Sequence, residues 1–316
     1  MSRRRRGFCL ALVAAFLVVA ACAAPGDGGG AAPATSAPPP SGETPCPAGT
    51  STFAYRSVGG VAPDLTSLDV HNPSGRCGQP VWIWVHGGGY QTGDKANQMA
   101  DKVRLASAQG WLLVSVNYRL TDPADPNSAR FPDHYDDVAA AVAWVSQRIG
   151  PLGGDPDRIA LFGHSAGADI VANVVVNPTY LNAWGSSPAV VDCAGPLDTE
   201  GFDKVAAVAA DPDGERAIWE AALGNHPGWP TDTSARLLVR PDEPLPAMIG
   251  AVRGTASRQA IATSFLDTVR ATGVTAVAID ARSLSHSDVN SRLGALGDAV
   301  MTPPVVAFLS ACFGGA

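Results

Sequence analysis

The stretch Arg158-Ile-Ala-Leu-Phe-Gly-His-Ser-Ala-Gly167 constrains this chain more than any other. Its apolar run, Ile159 to Phe162, has the make-up of a strand covered on both faces. The run leads straight into Gly163-His164-Ser165-Ala166-Gly167, and Ala168 to Asn173 can continue as a helix. Strand, tight turn and helix in that order present Ser165 at a strand tip, where its hydroxyl can act as a nucleophile. The flanking glycines leave room for the turn.

A serine at a strand tip needs a sheet around it, and the rest of the chain has that pattern. Thr52 to Arg56 and Leu65 to His71 alternate and read as two antiparallel edge strands. Pro80 to Val85, Trp111 to Tyr118, Ala189 to Cys193, Ala247 to Val252 and Val274 to Ile279 read as further strands. Helices are expected over Asn97 to Gln109, Asp136 to Ile149 and Ser257 to Ala271, the second carrying Val138, Val142, Val145 and Ile149 on one stripe. A closing helix lies within Ser287 to Phe313, bent or restarted near Pro303-Pro304. Strands alternating with helices predict an α/β domain over 46–316, with a mostly parallel central sheet and helices on both faces. Residues 199–246 break the rhythm after the sixth strand. Two short helices, Phe202 to Ala209 and Glu215 to Leu223, and the prolines Pro227, Pro230, Pro241, Pro244 and Pro246 suggest a small insertion forming a cap or one wall of a pocket.

Ahead of this domain stands Arg3-Arg4-Arg5-Arg6, then an apolar run from Phe8 to Ala21, then Cys22. A basic start and a short apolar core make an export signal, too short for a convincing membrane span. The end of the run, Val19-Ala20-Ala21-Cys22, resembles a bacterial lipobox, which implies a signal peptide over 1–21 and lipid attachment at Cys22. Residues 22–45 are rich in Ala, Pro, Gly and Ser and read as a flexible tether. The expected location is outside the bacterial cell membrane, on its outer face, with the N-terminal lipid as the only contact with the bilayer. Cleavage would remove four arginines and take the formal net charge from −7 to −11. So acidic a domain, with Lys95, Lys102 and Lys204 scattered along it, offers nucleic acid no electrostatic footprint. The cysteines left are Cys46, Cys77, Cys193 and Cys312, which admit three full pairings. Cys46–Cys77, pinning the entry to the first strands, and Cys193–Cys312 are the favoured pairs; free buried thiols are the alternative.

Two further motifs complete the pattern around Ser165. His86-Gly87-Gly88-Gly89-Tyr90 follows a buried strand, and Asn117-Tyr118-Arg119-Leu120 and Phe131-Pro132, with Asp137 and Trp144, lie between it and the serine. Together these segments resemble the α/β-hydrolase esterases and lipases, the group that includes hormone-sensitive-lipase-like and feruloyl-type esterases. The resemblance runs from about Cys46 to the C-terminus. It implies an oxyanion hole built from the amides of Gly88, Gly89 and Ala166, where charge develops on a carbonyl oxygen. His286 follows the last strand in the family's order, and imidazole suits the task of taking and returning the serine proton.

The family's acid usually ends the strand before the last, and there this chain has Ser257, which carries no charge to stabilise an imidazolium. Asp198, after the strand 189–193, is the first substitute; Asp280 and Asp192 are alternatives. Asp288, or a dyad with no acid, also stays open. Asp137 matches a structural position of the family. The six histidines are too dispersed for ligand spacing, and no dinucleotide loop is present, so no metal or cofactor is expected. The implied chemistry is serine-dependent hydrolysis of small-molecule esters with short-chain or aromatic acyl groups, Tyr90, Trp184, Trp219 and Trp229 being candidate pocket residues. Alternatives are a secreted peptidase or amidase of the same fold, and a binding lipoprotein that has kept only the scaffold. Oligomeric state is open.

Overall fold

A computed structural model describes residues 45–314. The expected signal peptide, Cys22 and all of the tether but its last residue lie outside the described residues. Eight strands form one sheet in the order β1-β2-β4-β3-β5-β6-β7-β8. They are β1 (Gly49–Ala54), β2 (Ser67–Asn72), β3 (Gln79–Val85), β4 (Leu112–Val116), β5 (Gly154–His164), β6 (Cys193–Leu197), β7 (Ala247–Val252) and β8 (Ala276–Asp280). The β1–β2 and β2–β4 pairs are antiparallel, and every other pair is parallel. The first strands are thus the antiparallel edge, and the sheet is mostly parallel.

The inner strands β3, β4, β6 and β7 are largely buried on both faces, and their side chains divide between two cores with the period of two that a strand dictates. Val81, Ile83 and Val85 of β3 join one cluster, while Trp82 and Trp84 between them join the other. The helices follow the same division. On the second face lie α1 (Ala100–Gln109) and, at the chain's end, a pair of helices introduced below. The first face holds α2 (Asp133–Arg148), α3 (Ala166–Val176) and α4 (Pro178–Asn182). Four short helices, α5 (Lys204–Ala210), α6 (Arg216–Leu223), α7 (Trp229–Asp232) and α8 (Ala235–Leu238), then fill the interval between β6 and β7. Their Ala207, Trp219, Leu223 and Trp229 are buried against the first core. There too packs α9 (Ala256–Ala271), through Ile261, Phe265 and Val269. The chain ends in α10 (His286–Ser291) and α11 (Thr302–Gly314), so the closing helix is two, the second restarting with Pro303 and Pro304 in its first turn.

The sixth strand is displaced from its expected place. Ala189 falls in a 3-10 turn, Pro188–Val190, and the strand begins where 189–193 would have ended. Cys193–Leu197 holds Gly195 and Pro196, residues that seldom stand inside a strand. Gly195 is required there because Phe162 occupies the space of a side chain, its ring carbon 2.1 Å from where a Cβ would stand. The ladder to β7 covers only Cys193 and Ala194 and stops before Pro196, which has no amide hydrogen to give. This shift of four residues puts Asp198 directly after the strand and Asp192 before it. Both favoured disulfides form. Cys46–Cys77 joins the entry of β1 to the β2–β3 turn, and Cys193–Cys312 joins the start of β6 to α11.

Candidate active site

Ser165 stands between β5 and α3 with φ 58° and ψ −123°, in the left-handed half of backbone space that a non-glycine residue occupies only when its surroundings hold it there. The surroundings are close. A Cβ on Gly163 would lie 2.4 Å from Gly167 O, and one on Gly167 would lie 2.4 Å from Val85 O. Glycine is therefore required on both sides, because the turn brings the start of α3 against the end of β3. The Ser165 amide donates to Leu197 O at 3.2 Å, which ties the turn to the end of β6.

From that tip Ser165 Oγ lies 2.9 Å from His286 Nε2, and His286 Nδ1 lies 2.5 Å from Asp198 Oδ2. His286 is the first residue of α10, whose start is fixed by reciprocal hydrogen bonds between Ser285 and Asp288. Its carbonyl oxygen accepts from His164 Nε2 at 2.9 Å, so the residue before the serine braces the loop that delivers the imidazole. His164 Nε2 therefore carries a hydrogen. Burial, and then the neighbouring His286, pull the His164 pKa down to about 3, so this second ring is neutral. His164, Asp198 and His286 bring side-chain nitrogen and oxygen atoms within 4.8 Å of one another, but a proton lies between His286 Nδ1 and Asp198, and His164 Nε2 holds the one it donates to the His286 carbonyl.

Asp198 has φ 60° and is almost wholly buried. Arg253 Nη1 lies 3.0 Å from its Oδ2, and Arg258 Nη2 lies 3.2 Å from its Oδ1. Burial pushes this carboxyl up, but the His286 hydrogen bond and charge, with Arg258 and Arg253, outweigh it and hold the group below the ordinary carboxylate range. The two arginines come from the loop after β7 and the first turn of α9, the segment where the family's acid would stand. Among the described residues, the hydroxyl of Ser257, at that place, bonds only to Thr255 Oγ1, at 2.9 Å. The other carboxylates are committed elsewhere. Asp280 is exposed and forked by Arg282; Asp192 accepts from the Ile159 amide, midway along β5 and six residues before Ser165; Asp288 caps α10. Asp137 is buried and takes Arg119 and Arg56, a structural ion pair.

Gly88 has φ 116°, and a Cβ there would fall 2.1 Å from Thr92 O, so the loop after β3 closes only with glycine. Among the described residues, the amides of Gly88, Gly89 and Ala166 donate to no loop or cap carbonyl. Gly89 and Ala166 border a cavity of about 200 Å³ together with Ser165, His286, Ile218 and Trp219. Tyr90 also borders it. Trp229 packs behind Trp219, ring centroids 6.2 Å apart, while Trp184 lies elsewhere, donating to Asp136 at 2.7 Å. Gly88, with Ser165 and His286, borders a second, wider cleft of about 460 Å³.

A buried network under the site left no trace in the sequence. Tyr90 OH and Tyr135 OH both donate to Asp169 Oδ2, and Lys204 Nζ lies 2.8 Å from Asp169 Oδ1. Lys204 also donates to Gly201 O and Thr233 O. The network joins the loop after β3, the serine's helix and the helices between β6 and β7. Nothing in the sequence distinguished Lys204 from a surface lysine, and the Arg253–Arg258 pair was equally unmarked.

Arranged this way, the imidazole can take a proton from the serine while the carboxylate holds its other nitrogen, beside amides that can receive an oxyanion. Residues 46–183 match the model of the carboxylesterase family. Over 140 residues, 40% of the chain, it is 34% identical to the fumonisin B1 esterase of Sphingopyxis macrogoltabida, covering 26% of that protein. Over 141 residues, 42% of the chain, it is 30% identical to the para-nitrobenzyl esterase of Bacillus subtilis, covering 29%. The chain thus spans under a third of the length of these curated relatives. Among solved structures, an inhibited esterase B from Lactobacillus rhamnosis superposes with a TM-score of 0.68 at 19% identity, over 84% of this chain and 88% of that one. EstE1, a thermophilic carboxylesterase from a metagenomic library, gives 0.61 at 22% identity, over 79% and 83%. The fold is the α/β-hydrolase fold of these esterases.

Proposed function

We propose that the chain is a serine carboxylic-ester hydrolase acting on short-chain or aromatic acyl esters. The observation that carries the proposal is the unbroken line Ser165 Oγ, His286, Asp198, which ends beside the amides of Gly89 and Ala166. Ser165 Oγ attacks the ester carbonyl while His286 Nε2 takes its proton, and the carbonyl electron pair moves onto oxygen facing those amides. Asp198 holds the Nδ1–H tautomer and stabilises the imidazolium. Collapse breaks the bond to the alcohol oxygen, which receives the proton from His286, and the acyl group stays on Ser165. Water, deprotonated by His286, then reverses the sequence and releases the acid. Ester cleavage suits the site better than amide cleavage, since an alkoxide leaves with less help than an amine. The 200 Å³ cavity beside the serine favours a compact acyl group.

The test is labelling with an aryl phosphonate, followed by peptide mapping. The label is expected on Ser165, with loss of 4-nitrophenyl acetate hydrolysis in step; a label elsewhere, or an active labelled protein, sinks the reading. By its first residues, the enzyme is exported and held at the outer face of the membrane by a lipid on Cys22. Cys22→Ala should then shift it from the membrane fraction to the soluble fraction, or leave the signal uncleaved.

A further inference from the structure

The geometry points to a neutral, polyhydroxylated alcohol, a sugar or a glycerol, as the group esterified in the substrate; this rests on the ester-hydrolase reading above. Two spaces meet at Ser165. The smaller lies against Ile218 and Trp219, and the wider cleft extends past His286 along α10 and the 92–98 loop. In the proposed sequence the alcohol departs first, while the acyl group is still on the serine, so the alcohol belongs in the wider space.

That cleft is lined by twelve residues, none of them aliphatic, aromatic hydrocarbon, Asp, Glu, Lys or Arg. Its histidines include His164, which burial keeps neutral. An apolar alcohol would find no apolar side chain to bury against, and a charged one would find no partner. Hydroxyl and amide groups remain. Thr92, Asn97, Gln98, Ser287 and Asn290 offer both donors and acceptors, as a surface for hydroxyls requires.

The arrangement is built and held. Gln98 has φ 56°, a left-handed conformation that its surroundings must enforce. Asn290 Nδ2 donates to Gln98 Oε1 at 2.9 Å, which joins the cleft's two sides and, among the described residues, leaves Gln98 Nε2 unengaged. Asn290 Oδ1 is covered and has no protein partner. Beneath both, the buried Lys102 Nζ donates to the carbonyl oxygens of Gln98 at 3.3 Å and Asn290 at 3.0 Å, with Trp84 under it. Fixed amide arms of this kind lower the ordering cost of binding a hydroxylated group.

The experiment holds the acyl group constant and varies the alcohol. Glycerol triacetate and the 6-acetate of methyl glucopyranoside are compared with cyclohexyl acetate and acetylcholine, by kcat/KM. The polyol acetates are expected to be favoured at least about tenfold, and Gln98→Met and Asn97→Leu should each cut that preference by about fivefold to tenfold, the loss of one hydrogen bond. Whichever polyol is better identifies the source as sugar or glycerol. Equal or better turnover of cyclohexyl acetate or acetylcholine, or a preference unchanged in both variants, overturns the inference. Asn97 is exposed, so its variant folds even if a change at Gln98 disturbs the loop. The ester-hydrolase reading fails separately, if the unmodified protein does not cleave 4-nitrophenyl acetate.

Discussion

The two halves of the molecule meet along the seam between β5 and β6, and they differ in kind. Residues 46–183 form the contiguous strands β1-β2-β4-β3-β5, carry Ser165 and the three amides at the cavities, and are the stretch that matches the carboxylesterase family model. Residues 184–314 add β6-β7-β8, carry Asp198 and His286, and lie beyond the stretch that the family model matches. The first half contributes backbone, free amides and a strained turn, and backbone placed so tightly needs glycine at fixed positions. The second contributes two side chains, which only have to arrive. Loops of many sequences can bring a carboxylate to an imidazole, and here the carboxylate comes from the end of β6 while the segment after β7 supplies arginines instead.

If that division is right, damage to the second half should cost nearly as much as damage to the first. His286→Ala should lower kcat for 4-nitrophenyl acetate by about 10⁶-fold, matching Ser165→Ala, with the fold intact by circular dichroism. A His286 variant that kept a hundredth of the activity would separate the halves. Asp198→Asn should cost about 10⁴-fold in turnover. Asp280→Asn and Asp192→Asn should stay within about twofold of the parent, being surface substitutions or remote from the serine. A large loss in either, with Asp198→Asn active, would return the acid to another part of the chain.

A smaller effect tests the arginines. Arg258→Met should lower turnover about tenfold, through a carboxylate less firmly held. It should also lower stability at pH 7, read as a urea midpoint. Asp198 is depressed in the folded protein, so its contribution is present above the ordinary carboxylate value of about 3.9 and is lost as pH falls through the folded value. The gap between Arg258→Met and parent should therefore close on acidification below that value. A gap that persisted once the Asp198 carboxyl was protonated in the folded protein would mean that Arg258 acts through packing or through Glu200, which it also contacts.

Legibility followed the same seam. The serine turn, the three glycines and the buried strands could be read because each needs particular residues at particular spacing. His286 could be read because a histidine directly after the last strand has few rivals. Asp198 was ranked first among substitutes from a strand placed four residues too early. Its neighbourhood was right, but its support was unreadable. Arg253 and Arg258 look like ordinary residues flanking a helix start, and only the folded sheet brings them to Asp198. Lys204, buried against Asp169, is a sharper case. A lysine is normally taken for surface, and neither period nor motif marks one that is not.

The Cys193–Cys312 disulfide closes a covalent loop with a sequence separation of 119 residues. Asp198, the helices of the insertion, the two arginines and His286 all lie inside that loop. A protease that cuts the insertion once therefore releases nothing. The fragment bearing His286 stays tethered to the fragment bearing Ser165, and reduction is needed to part them. On a non-reducing gel the nicked protein would run as one chain, and on a reducing gel as two, so the stretch between β6 and β7 can be clipped without Ser165, Asp198 and His286 losing one another.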